Sequence, residues 1–111
     1  MIAGCGRQTD PSELAGRFVA TAGGARWAFD GALTFGNAAA VLLEAAELAP
    51  PTSGVVDCAG VRAVDSAAVT VLLALKRRLA ERGVDLRFVN APGPLRALAD
   101  VYDVEELLGI A

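Results

Sequence analysis

Hydrophobic and polar positions divide this chain of 111 residues into short runs whose period changes several times. Arg17 to Thr21 (RFVAT) and Ala25 to Asp30 (ARWAFD) are aromatic and β-branched runs of strand length. The Gly pair in the intervening Ala22-Gly23-Gly24 predicts a hairpin between them, with Trp27 and Phe29 on one face. Gly31-Ala32-Leu33-Thr34 is expected to break the second strand. The period then becomes helical: from Phe35 to Leu48 the residues Ala38, Val41, Leu42, Ala45 and Leu48 recur at three and four spacing. Thr34 or Asn37 can cap this helix, and Pro50-Pro51 ends it.

Gly54 to Cys58 is a continuous apolar run and predicts a strand buried on both faces, with Ala59-Gly60 turning the chain out of it. Val61 and Val64 then anchor a short connecting loop. A longer helix is expected from Ser66 to about Arg82, with Val69, Leu72, Leu73, Leu75 and Leu79 inward and Gly83 as its C′ residue. Asp85 to Val89 predicts a last strand. Asn90 to Pro94 is a turn, Leu95 to Tyr102 a short helix facing Leu95, Leu98 and Ala99 to the core, and Val104 to Leu108 the closing segment. Residues 1 to 16 are rich in Gly and polar residues and predict a flexible segment ahead of one domain spanning 17 to 111, with no internal repeat and no linker. The sum is an α/β fold: a mixed, roughly four-stranded sheet with about four helices, most of them on one face.

Composition removes several function classes. Hydrophobic residues make up 54% of the chain, yet charges interrupt every run before it reaches membrane-span length, which predicts no direct membrane insertion. The N-terminus has no basic stretch followed by an apolar core, which predicts a cytoplasmic location and free thiols at Cys5 and Cys58. A net charge of −3 speaks against nucleic acid as a partner. Lys76, Arg77, Arg78 and Arg82 read as a solvated helix face near the negative dipole end. The chain contains no histidine, so Ser-His and Cys-His nucleophile pairs and imidazole metal ligands are absent from it. A phosphoryl- or acyl-transfer site built from Asp57, Asp65 and Ser66 would lack a His base, P-loop glycine spacing and a metal constellation. No catalytic residue, metal or cofactor is predicted.

The polar chemistry concentrates at Asp65-Ser66, where an apolar strand and a turn lead into the longest helix. Three readings apply to it. Either oxygen can accept from the free N–H groups of the first helical turn, contributing about 1 kcal/mol. A phosphate on Ser66 would meet the positive helix pole and the same donors. The pair can also sit at the centre of a contact surface. Thr70, one helical turn on, is read as bonding back to the Ser66 carbonyl, with a partner contact as the alternative. Asp57 is read as accepting N–H bonds from the Gly60 to Arg62 loop, with a place in that contact surface as the alternative. Trp27 and Tyr102 read as core-edge aromatics, and Ala39, Ala40, Ala46 and Ala67 leave room for another chain, a copy of this one included.

The stretch VVDCAGVRAVDSAAV, with the order of elements around it, resembles the STAS domains. These are small α/β modules of anti-sigma-factor antagonists, of sulfate-transporter tails and of the accessory subunit of a lipid-transporting ABC complex. FDGALTFGNAAAVL and LRALADVYDVEELL resemble the entry loop, first helix and C-terminal helix of the last, MlaB-like branch. One position departs from the antagonists: Ala68 stands where they usually carry Gly.

The resemblance implies a non-enzymatic subunit that binds the ATPase (MlaF-like) of a phospholipid ABC transporter and, through it, the membrane permease, peripheral to the inner membrane. The alternative it implies is an antagonist phosphorylated on Ser66 by an anti-sigma serine kinase. In both branches the start of this helix is the interface, which gives a predicted partner-binding patch of Arg62, Val64, Asp65, Ser66, Ala67 and Thr70.

Overall fold

The computed structural model describes residues 16 to 110. The readings of residues 1 to 15, Cys5 among them, lie outside it. Four strands, β1 (Arg17–Thr21), β2 (Arg26–Leu33), β3 (Val55–Val64) and β4 (Arg87–Val89), lie side by side in that order. The helices are α1 (Ala38–Ala46), α2 (Ser66–Ala80), α3 (Gly93–Val101) and α4 (Glu105–Leu108). β1 and β2 form the expected antiparallel hairpin, joined by a 3₁₀ turn over Ala22–Gly24. β2, β3 and β4 run parallel, because each of the two crossovers carries a helix. The mixed four-stranded sheet with four helices matches the expected fold class.

Side-chain alternation places the core on one face of the sheet. Phe18, Trp27, Phe29, Val56, Cys58, Val61 and Phe88 are buried with Val41 and Ala45 of α1 and Val71, Leu72, Leu75 and Leu79 of α2. Phe18 packs edge-on to Phe29 with ring centroids 4.9 Å apart, and lies 5.6 Å from Trp27. The Trp27 indole N–H donates to the Ala49 carbonyl at 3.0 Å, tying the sheet to the segment that leaves α1. The alternate positions Arg17, Arg26, Asp30 and Arg87 are exposed. β3 is therefore not buried on both faces: Val56 and Cys58 are enclosed, whereas Val55 and Asp57 are half-buried on the open side.

Two boundaries differ from the sequence reading, and they share a cause. β2 runs on through Gly31, Ala32 and Leu33, and β3 runs through Ala59-Gly60 to Val64, where a turn and a loop were expected. The register between them shifts between Ala28 and Asp30 and again between Gly31 and Ala32. These irregularities absorb the glycines without ending either strand. Gly31 takes a φ of 115°, and a Cβ on Gly60 would lie 2.5 Å from the Phe29 carbonyl oxygen. Gly60 thus permits a close strand approach, and Gly31 a positive φ within the strand, rather than a turn. The extra length of β3 carries the chain across the sheet and delivers Asp65 directly to the start of α2.

The helix ends follow local chemistry. α1 is shorter than expected, starting at Ala38 because residues 34 to 37 form a turn in which the Asn37 N–H donates to the Thr34 carbonyl at 3.1 Å. Its stripe is deepest at Val41 and Ala45, with Ala38, Leu42 and Leu48 packed against the core edge. α2 stops in a Schellman arrangement: Gly83 N–H donates to the Ala80 carbonyl at 3.0 Å and Val84 N–H to the Leu79 carbonyl at 2.8 Å. Gly83, with φ 83°, holds the C′ position expected of it. β4 is only Arg87–Val89, shorter than the run from Asp85, although Leu86 is still fully buried. In α3, Leu95 and Ala99 are buried and Leu98 is half-buried.

Candidate functional site

Asp65 occupies the N-cap of α2 in extended backbone, and both of its carboxylate oxygens are used. Oδ1 accepts from the Ala67 N–H at 2.8 Å, inside the first turn of the helix. Oδ2 accepts from the Phe35 N–H at 3.1 Å, thirty residues earlier in the chain. The carboxylate therefore satisfies one of the orphan donors of α2 and also pins the β2–α1 loop against that helix start. Asn37 holds the same loop from its other side: its Oδ1 accepts from the Thr34 N–H at 2.9 Å and its Nδ2 donates to the Ala32 carbonyl at 2.7 Å. Asn37 thus sits at the N-cap of α1 without capping it, because its side chain faces back into the loop. The result is a fixed platform of loop and helix start, with the Phe35 ring 74% exposed upon it.

Ser66 follows directly and is half-buried. With Asp65 serving as the cap, the Ser66 hydroxyl is left with no hydrogen bond among the described residues. Thr70, on the same face one turn later, is exposed. Its hydroxyl also makes no bond among the described residues, so the expected bond to the Ser66 carbonyl is not formed. The two hydroxyls look onto a shallow pocket of about 290 Å³ lined by Ser66, Val69, Thr70, Leu73, Tyr102 and Val104. Tyr102, expected at the core edge, stands half-exposed on its far wall, whereas Trp27 is fully enclosed.

The remaining predicted patch residues fall into different environments. Arg62 is exposed near the end of β3, and its guanidinium lies 3.3 Å from the Asp30 carboxylate, a surface ion pair of at most about 1 kcal/mol. Val64 is half-buried and packs against the core. Ala67 is only 4% exposed, so it fills space beneath the patch and offers no contact area. Ala68 is fully buried. Of the alanines left open to a further chain, Ala39, Ala40 and Ala46 are exposed and Ala67 is not.

Asp57 stands apart from this surface. Its Oδ1 accepts from the Ala59 N–H at 2.9 Å and from the Asn90 side-chain amide at 3.2 Å, in place of the expected Gly60 to Arg62 donors. The Ala59 N–H, then the Asn90 amide, hold its carboxyl below the usual carboxylate range against the opposing effect of burial. Cys58 beside it is a free, buried thiol, pushed up to about 12 by burial and secondarily by the Asp57 charge. Lys76, grouped with the solvated cations by sequence, instead donates to Asp85 Oδ1 at 3.0 Å and to the Leu86 carbonyl at 2.6 Å, bracing the approach to β4.

Sequence reasoning missed Phe35, Tyr102 and Val104 as surface participants and assigned Leu73 to the core. The three and four spacing of Ser66, Val69, Thr70 and Leu73 contains the pocket-facing stripe. What that spacing lacks is the position of Tyr102, which only the return of α3 across α2 supplies.

The fold and surface together define a small mixed α/β domain whose longest helix begins in a partly apolar surface, with the Asp65 carboxylate consumed as scaffold. A family model described as "Mlab, STAS domain" matches residues 20–109, and the chain belongs to this MlaB-like STAS family. No curated protein matches it. Membership brings an accessory or regulatory role of the STAS type, in a family that is generally non-catalytic. Among the described residues no helix is long and apolar enough to cross a membrane.

Proposed function

We propose that this chain is a non-catalytic accessory subunit that docks onto the ATPase of an ABC transporter for phospholipid trafficking, in the maintenance of outer-membrane lipid asymmetry. On this reading it is cytoplasmic and is held at the inner membrane through its complex with that ATPase and the permease. Docking centres on Ser66, with Arg62, Thr70 and the scaffolded Asp65 around it and Val64 and Ala67 supporting from beneath. The supporting observation is the Ser66 hydroxyl itself: it is presented at a helix start, free of any bond within the described chain, while Asp65 does the capping. An unpaired hydroxyl beside a scaffolded carboxylate is suited to a hydrogen bond across an interface.

Ser66→Ala removes one neutral hydrogen bond, about 1 kcal/mol, so affinity for the ATPase should fall by up to about tenfold. Ser66→Glu places an unpaired charge in the contact, about 3 to 5 kcal/mol, and should weaken binding by more than about 100-fold. Both are measured by titration of the purified ATPase subunit with each variant. Unchanged affinity in both would refute the reading. Recovery of a serine kinase in place of the ATPase from native membranes in mild detergent, with phosphate on Ser66, would replace it with an antagonist role.

A further inference from the structure

A second pocket of about 270 Å³, lined by Leu73, Lys76, Arg77, Ala80 and Leu107, adjoins the Ser66 pocket. The two share Leu73. Ser66, Thr70, Leu73 and Arg77 stand at intervals of four, three and four along α2, so one helical stripe floors both pockets. Tyr102 and Leu107, 50% and 59% exposed, stand opposite. The pockets therefore form one groove between α2 and the C-terminal helices, about 16 Å long from Ser66 to Arg77 at the rise of an α-helix.

The two ends of the groove differ in charge. The Ser66 end offers neutral hydroxyls. At the other end Lys76 is neutralised by Asp85 and the Leu86 carbonyl, whereas Arg77 is exposed and forms no ion pair or hydrogen bond among the described residues. The C-terminal dipole of α2 accounts for a cation in this turn, but Arg78 answers that need without standing in the groove. Among the described residues Arg77 is the unpaired charge lining the groove.

We propose that the groove seats an amphipathic helical segment of the partner, apolar along its inner face and carrying a carboxylate where it meets Arg77. This rests on the reading of the chain as an ATPase-binding subunit. A helix fits better than an extended strand because the groove's neutral polar side chains are only the hydroxyls of Ser66, Thr70 and Tyr102, all at one end. An extended segment would bring a row of main-chain N–H and C=O groups against apolar walls, whereas a helix satisfies its own. Three turns of helix, presenting side chains at i, i+3, i+4 and i+7, match the length between Ser66 and Arg77.

The test uses the ATPase subunit as the binding probe and compares Arg77→Glu, Arg77→Lys, Tyr102→Ala and Ser66→Glu, with thermal unfolding of each variant to establish that it folds. Arg77→Glu should weaken binding at least about tenfold and Arg77→Lys by less than about threefold. Wild-type affinity should fall as salt rises from about 0.05 to 0.5 M, and this dependence should be smaller in Arg77→Glu. Tyr102→Ala should weaken binding at least about fivefold. If Ser66→Glu abolishes binding while Arg77→Glu and Tyr102→Ala bind like wild type, the groove proposal fails and the docking reading stands. If Ser66→Glu also binds like wild type, the docking reading itself fails.

Discussion

The two sides of α2 are built from the same kinds of residue and end in opposite states. Toward the sheet, Val71, Leu72, Leu75 and Leu79 are buried by the chain's own strands and by α1. Toward α3 and α4, Leu73 is only half-buried, and Tyr102 and Leu107 stand open to solvent around it. A hydrophobic side chain on the first side is spent on folding. On the second it remains available, and contiguous apolar surface of that sort is the usual mark of a contact site. The polar groups divide in the same way: Asp65 has both oxygens bonded within the chain, and the Ser66 hydroxyl next to it has no bond among the described residues.

The sharpest way to break this contrast is truncation on each side. Leu72→Ala opens a cavity in the sheet-facing core and should cost about 2 to 5 kcal/mol of stability. Tyr102→Ala, on the open side, should stay within about 0.5 kcal/mol. Urea unfolding of both variants decides, and equal losses would show that the groove belongs to the core.

A smaller effect is expected at the helix start. Asp65→Ala removes the cap of α2 and the tether to Phe35, which should cost about 1 kcal/mol. The tether adds a local signature: amide exchange at Phe35, in the β2–α1 loop, should accelerate more than at Val71, deep in α2. Equal acceleration at both would mean that Asp65 serves global stability alone.

The smallest effect concerns Asp57, at the far end of β3. Its carboxyl is held below the usual range in the folded chain, chiefly by the Ala59 N–H. The unfolded state therefore binds the proton more readily than the folded state does. The stability Asp57 contributes is present above the unfolded value, near pH 3.9, and is lost as pH falls through the lower folded value. Asp57→Asn should flatten the acid limb of the stability profile below about pH 4 and leave its shape near neutrality unchanged. An unaltered acid limb, followed by thermal melting, would assign the acid sensitivity to other carboxylates.

Much of the architecture was legible because it is written in local period and local chemistry. Alternation around Trp27 and Phe29, the helical stripe through Val41 and Ala45 and the stop at Gly83 each depend on residues within a turn or two of one another. The lengths of β2 and β3 were not legible. Gly31 and Gly60 look like breakers in isolation, and only the paired strands show that Gly31 supplies a positive φ within β2 and that Gly60 makes room for the Phe29 carbonyl.

The site divides along the same line. The sequence by itself determined that a carboxylate and a hydroxyl meet at the start of the longest helix, and that no histidine joins them. It left open which of the two would cap. The tertiary structure decided this by bringing the Phe35 N–H within 3.1 Å of Asp65, across thirty residues, so that the carboxylate with two acceptor oxygens satisfies both donors. It also decided that Thr70 looks toward Tyr102 and into a groove. Helical spacing defines a face, but what covers that face depends on where α3 and α4 return, and that is set by packing over the whole core.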